Sequence, residues 1–285
     1  VIVTRTDVAK AEKTTPPAVA EELFDDIVEH AGEGTDFRQD ELILPFIRIA
    51  QSLSPQINPR KPEHIPGLQL GWAYNTLTQR FWPQGTGLRF VIAYQRTALL
   101  TFVPRSQGGG FRGEIEPTDR RLLNVTVGSR NEELLPDGLE LVRSDQHYGL
   151  VLDEDGTYQP AVIDMKSTQL KVSRRLKTQI SLLRIQNPKT KALVKPPIYA
   201  SIWHFDTVEE TNEKGDFFNW SVHHDGYVQD RMIFEEARLF REAALAGRVK
   251  AQPDTQPDTQ PEDFSTPAGR QHDAHGKQVD DEIPF

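Results

Sequence analysis

Residues 196–224 read PPIYASIWHFDTVEETNEKGDFFNWSVHH. Two runs dense in aromatic and β-branched residues flank the Asn-Glu-Lys-Gly of 212–215, which is the pattern of a β-hairpin. Side chains alternate between the faces of a strand. Trp203 and Phe205 therefore share one face, and Phe218 and Trp220 share one face of the partner strand. Outward from this hairpin the β pattern continues. GLRFVIAYQRTALLTFVP (87–104) and LELVRSDQHYGLVLDEDGTY (139–158) each predict two short strands, and PAVIDM (160–165) one more. Among helices, KSTQLKVSRRLKTQISLLR (166–184) is the strongest, and QDRMIFEEARLFREAALAG (229–247) should end at Gly247. PPAVAEELFDDIVEHAGEG (16–34) predicts a short helix with Val19, Leu23 and Ile27 on one face and Gly32 as its stop. Pro45 interrupts LILPFIRIAQSLSP (42–55), predicting an edge strand or a short connecting segment there. The fold class is mainly β with helical additions, α+β.

The chain has 285 residues, a formal net charge of −9 and no cysteine. Disulfides, cysteine-based zinc sites and thiol catalysis are therefore excluded. No apolar run approaches the ~18 residues of a membrane span, and no secretory leader is visible, so a cytoplasmic protein is expected. The hydrophobic share of 37% and mean hydropathy of −0.55 predict that part of the chain stays unpacked.

An acidic balance argues against nucleic acid until the charge is located. Residues 1–50 hold 5 basic and 11 acidic residues, and 251–285 hold 2 and 8, which leaves +3 on 51–250. Between 160 and 200, nine basic residues face a single acid, Asp164. Helical geometry groups Lys171, Arg174, Arg175 and Thr178 on one face of the 166–184 helix, and Val172, Leu176, Ile180 and Leu183 on the other. The helix should pack its apolar stripe and present a basic ridge, which Lys189, Lys191 and Lys195 extend. Such uniform sign fits a polyanion-binding surface better than an ordinary mixed solvated face.

Phosphate neutralisation is expected from Lys166, Lys171, Arg174, Arg175, Lys177, Arg184, Lys189 and Lys191. Base stacking is expected from some of Trp72, Tyr74, Trp82, Trp203, Phe218 and Trp220. The competing role for each ring is the sheet core. SQGGGFRGE (106–114) lacks the Lys-Ser/Thr of a phosphate-binding loop, and no hydrolase or Walker signature is present. No cofactor and no metal are predicted, and the protein is read as a non-enzyme. A metal-dependent nuclease built on His204, Asp206 and His223 is the alternative from another class.

After Lys250 the composition changes. QPDTQPDTQPED (252–263) can neither form a helix nor bury a core, so 251–279 reads as an extended, solvated linker. The chain then ends in DDEIPF, where Asp280, Asp281, Glu282 and the terminal carboxylate surround Ile283, Pro284 and Phe285. An acidic tip ending in an aromatic ring suits a pocket that clamps carboxylates with basic residues. The expected organisation is an acidic helical extension (1–40), a body (41–250), a linker (251–279) and a partner-binding tip (280–285).

That tip resembles the C-terminal tip of bacterial single-stranded DNA-binding proteins, which end in Asp-Asp-Asp-Ile-Pro-Phe; here Glu282 replaces the third Asp. The order LPFIRIAQSLSP, GWAYNTLT, KSTQLKVSRRLK is similar to phage-encoded single-stranded DNA-binding proteins. The resemblance implies an OB-like β-barrel core with added helices and a disordered acidic tail. It also implies a DNA groove on the sheet face beside the 166–184 helix, and partners in replication or recombination that dock on the tip. Oligomers are possible in such a family, and a single-strand annealing protein would share these features.

Overall fold

The computed structural model describes residues 20, 23–30, 33–34, 42–129, 132–212, 215–249 and 251. The chain divides into two compact units, Val1–Leu42 and Ile43–Phe285. In the first, helix α1 (Phe24–Glu29) is shorter than the 16–34 stretch that predicted it, and its first turn carries Asp25 and Asp26 at the positive end of the helix dipole. The expectations for 252–279 and for the tip 280–285 lie outside the described residues.

The second unit is mainly β, with a curled half-barrel sheet. Its strands are β1 (Phe46–Ile49), β2 (Ala73–Asn75), β3 (Phe81–Trp82), β4 (Leu88–Phe102), β5 (Phe111–Ile115), β6 (Thr126–Val127), β7 (Glu133–Leu134), β8 (Glu140–Leu152) and β9 (Tyr158–Lys166). Helix α2 (Leu170–Leu182) follows, then a small separate hairpin, β10 (Ile185–Gln186) and β11 (Leu193–Val194). The long hairpin β12 (Ser201–Asn212) and β13 (Gly215–Tyr227) and helix α3 (Arg231–Leu245) complete the body. The main path of the large sheet runs β13-β12-β4-β8-β9-β1-β2-β3, with β5 beside β4 and β6-β7 beside β8. Pairing is antiparallel throughout, except that β1 lies parallel to β9.

Alternation divides the sheet's side chains between two cores. Ile47, Phe90, Ile92, Ile163, Met165, Trp203, Phe205 and Trp220 point to one side, where Leu176 of α2 joins them. Phe46, Val91, Leu150, Val162 and Ile202 point to the other, where Ile233, Ala237 and Phe240 of α3 cover them. The first cluster contains both Trp82 of β3 and Trp220 of β13, strands at opposite ends of the path, so it fills the inside of the curl.

The two ends meet through a side chain that imitates a backbone. Gln51 Nε2 donates to Phe218 O at 2.7 Å, and Phe218 N–H donates to Gln51 Oε1 at 3.0 Å. Gly71 also belongs here. Its φ is +80°, and a Cβ at this position would lie 2.4 Å from the Phe218 ring. Thr207 Oγ1 donates to Gly71 O, adding a second tie between the ends.

Three local expectations change. Residues 87–104 form one 15-residue strand, β4, and most of 139–158 forms the single strand β8. The polar run Gln95-Arg96-Thr97 reads as a break in sequence, yet it continues the strand because His147, Gln146 and Asp145 stand opposite it. β1 is flanked by β9 and β2 and so is interior; Pro45 precedes it, where a missing N–H costs nothing, and its carbonyl accepts from Val162 N–H at 2.9 Å. The predicted stop of α3 holds, with Gly247 at φ +68°, and at its start Asp230 accepts from Met232 N–H at 2.7 Å.

Candidate nucleic-acid interface

α2 is shorter than the 166–184 stretch that predicted it, because Lys166 still belongs to β9 and Leu183 caps the helix. Leu176 is buried and Val172, Ile180 and Leu183 pack beside it, while Lys171, Arg174, Arg175 and Thr178 face out. The cations expected on the ridge divide into two groups. Lys166 ends β9 as a buried residue whose Nζ lies 2.8 Å from Asp164 Oδ2. Lys177 turns inward, with Nζ 2.7 Å from Asp145 Oδ2. Both were expected to neutralise phosphate and instead pair with buried carboxylates, Lys177 from a partly solvated position. Lys171 remains exposed, 3.5 Å from Glu210. Arg174, Arg175, Arg184, Lys189, Lys191 and Lys195 are exposed and have no carboxylate partner among the described residues. Arg184 also donates to the carbonyls of Ser181 and Leu183, closing the C-terminal end of α2 before the β10–β11 hairpin begins.

Beneath α2 lies a buried polar layer that the ridge residues do not reach. Asp145 accepts from Thr97 Oγ1 at 2.6 Å as well as from Lys177. Burial opposes its ionisation, but the hydrogen bonds from Lys177, Thr97 and Ser173 prevail and hold its carboxyl below the usual range. His147 is fully buried, accepting at Nδ1 from Gln95 (2.7 Å) and meeting Ser173 Oγ at Nε2 (3.2 Å). Burial pushes its pKa down to about 4, so it is neutral at physiological pH. On the opposite face Arg96 forks onto Glu114 with two 2.8 Å bonds and donates to Gln146.

The aromatic residues sort sharply. Tyr74, Trp82, Trp203, Phe218 and Trp220 are buried in the cores. A ring enclosed on all sides has no face for a base, so the stacking role expected of these five becomes a packing role. The sheet face beside α2 is likewise packed with core side chains, so the groove expected there is filled. Trp72 differs. It is half-buried and packs on half-buried Phe81, with ring centroids 5.4 Å apart. Phe81 stands in the same aromatic run as Trp72, and the two meet because β2 and β3 pair. Trp72 follows Gly71, which touches Thr207 and Phe218 in the same hairpin whose Glu210 meets Lys171.

The histidines assemble differently from the metal reading. His204 and His223 are cross-strand partners with rings 4.7 Å apart, and His204 Nε2 donates to Thr86 O at 2.9 Å. Asp206 accepts from Gly85 and Thr207 N–H groups, and Asp225 pairs with Arg89 at 2.8 Å. Among the described residues no group of three His, Cys, Asp or Glu side chains could hold a metal ion. No described helix is long and apolar enough to cross a membrane.

Fold and surface together define a mainly β protein with helices on both faces of a curled sheet and a cationic helix-and-hairpin exterior. Residues 11–250 match the family described as Pam3 phage gp34-like protein, and the chain belongs to that family. No curated protein and no solved structure matched the chain.

Proposed function

We propose that the protein binds single-stranded DNA with little sequence preference during phage replication or recombination. One observation carries this reading. The exposed surface of α2 and the β10–β11 hairpin presents Arg174, Arg175, Arg184, Lys189, Lys191 and Lys195, in a stretch from 165 to 205 that contains no acid. Phosphate contacts from such groups neutralise charge without reading base edges, which is why little sequence preference follows. Trp72, half-buried with Phe81 behind it, is a ring available for stacking beside the β12–β13 hairpin.

The strand order supports an OB-like core. In an OB barrel the third strand leads through a helix to the fourth, and the fifth lies parallel to the third. Here β4, β8, β9, α2 and β12 follow in that order, and β1 takes the place parallel to β9 although it comes first in the chain. The outer sheet face, where OB proteins take nucleic acid, carries α3 over β4 and β8, which favours the exposed surface of α2 and the β10–β11 hairpin over either sheet face. On this reading the tip 280–285 recruits replication or recombination proteins, and the linker lets it compete with DNA for the cations.

A fluorescence titration of the full chain with an unstructured oligothymidylate tests the proposal. Of the four tryptophans, Trp82, Trp203 and Trp220 are 8%, 0% and 3% exposed, so quenching on binding should come from Trp72. Tight, salt-sensitive quenching that disappears in Trp72→Phe while affinity persists is the expected result. The absence of salt-sensitive binding by any readout refutes the function.

A further inference from the structure

We infer that the β10–β11 hairpin is the element by which the protein distinguishes single-stranded from duplex DNA, an inference that rests on the function proposed above. The hairpin forms a two-stranded sheet of its own, outside the large one. Its turn is held chiefly by Asn187: Oδ1 accepts from the N–H groups of Lys189 (2.9 Å) and Thr190 (3.1 Å), while Lys191 N–H donates to Asn187 O (2.9 Å). An isolated hairpin this short is marginal in water and contributes little to folding. Yet it displays Leu193 at 70% and Val194 at 42% exposure.

These aliphatic groups sit among Lys189, Lys191 and Lys195, and that combination selects the occupant. The cations require a polyanion. The aliphatics require that the polyanion also offer apolar surface between its charges. A duplex stacks its base faces inside and presents hydrated phosphates, leaving Leu193 and Val194 against water and charge. A single strand exposes base faces between successive phosphates, so one short projection can meet both. The cations then supply affinity for either form, and the aliphatics supply preference for the unpaired one.

The test is the double variant Leu193→Ser with Val194→Ser in the full chain, with an oligothymidylate and a blunt duplex of equal length titrated across a salt series. Both side chains are exposed, so thermal unfolding should match the parent. The expected result, from lost apolar burial, is a roughly tenfold loss of single-strand affinity with an unchanged salt slope and unchanged duplex affinity. An unchanged ratio of the two affinities, in a parent that binds single strands, overturns the hairpin's role alone. So does an unchanged ratio accompanied by a fall in solution mass, which would make the hairpin a protein contact. A parent that binds no single strand overturns the function itself.

Discussion

Replacing Gln51 with Ala should open the seam at which the curled sheet meets itself. The side-chain amide makes two hydrogen bonds to the backbone of Phe218, of 2.7 and 3.0 Å, and both residues are 9% exposed. Truncation leaves a buried N–H and a buried C=O without partners, at roughly 1–3 kcal/mol each. The seam lies near the rim, where water can partly repair the loss, so the sum should fall at about 2–4 kcal/mol. For a body of this size that lowers the thermal midpoint by roughly 5–15 °C. Urea unfolding should show the same loss as a lower midpoint with unchanged slope. Gln51→Glu sharpens the test. It keeps the acceptor for Phe218 N–H but sets a carboxylate oxygen against Phe218 O, so at neutral pH it should be no more stable than Gln51→Ala. Acidification should restore part of its stability, because the protonated acid can donate where Nε2 did. The reasoning fails if Gln51→Ala costs less than about 0.5 kcal/mol, or if Gln51→Glu matches the parent at neutral pH.

Lys177→Ala should destabilise the fold by roughly 1–3 kcal/mol, because Asp145 stays buried without its cation; the figure is kept low because the ammonium is partly solvated. Arg174→Ala with Arg175→Ala should change urea stability by no more than about 0.5 kcal/mol, since both side chains are exposed. His147 has a folded pKa of about 4 against an unfolded value near 6.5, so the unfolded chain binds more protons between these limits. Stability should therefore fall as pH drops from about 6.5 to 4, by up to ~1.4 kcal/mol per unit, and His147→Gln should remove that part of the slope in urea midpoints measured across pH.

The elements most legible in the sequence were those with one dominant period. The 201–227 hairpin and both long helices follow from alternation or from a stripe of apolar residues, and Gly247 stops α3 by its φ. The mid-strand polar run interrupts the apolar pattern, and periodicity registers polarity but not partners. Gln95, Arg96 and Thr97 stay in β4 only because β8 offers matching groups fifty residues later. The aromatics failed for a related reason. Composition shows that Trp203 and Trp220 are large and apolar, but only the curl, which brings β3 against β13, shows that both are consumed by one core. Gln51 gave no signal at all, since a glutamine that replaces a strand is indistinguishable in sequence from one on a surface.

The same distinction separates charge that is counted from charge that can act. Nine cations between 160 and 200 would, if all met phosphate, give a salt slope near −6 for a single strand. Two of them cannot contribute freely. Lys166 sits against Asp164 and Lys177, itself partly solvated, against Asp145, and releasing either would leave a buried carboxylate behind. Lys171 already faces Glu210. The six that remain give a slope near −4, by about −0.7 per phosphate contact. A fluorescence titration across a salt series decides between these counts. A slope near −6 would mean that binding breaks the internal pairs and remodels the layer under α2. A slope near −4 that falls by about 1.4 in the Arg174→Ala, Arg175→Ala variant, and hardly at all in Lys177→Ala, would mean that one helix divides its cations between fold and ligand by the face on which each one stands.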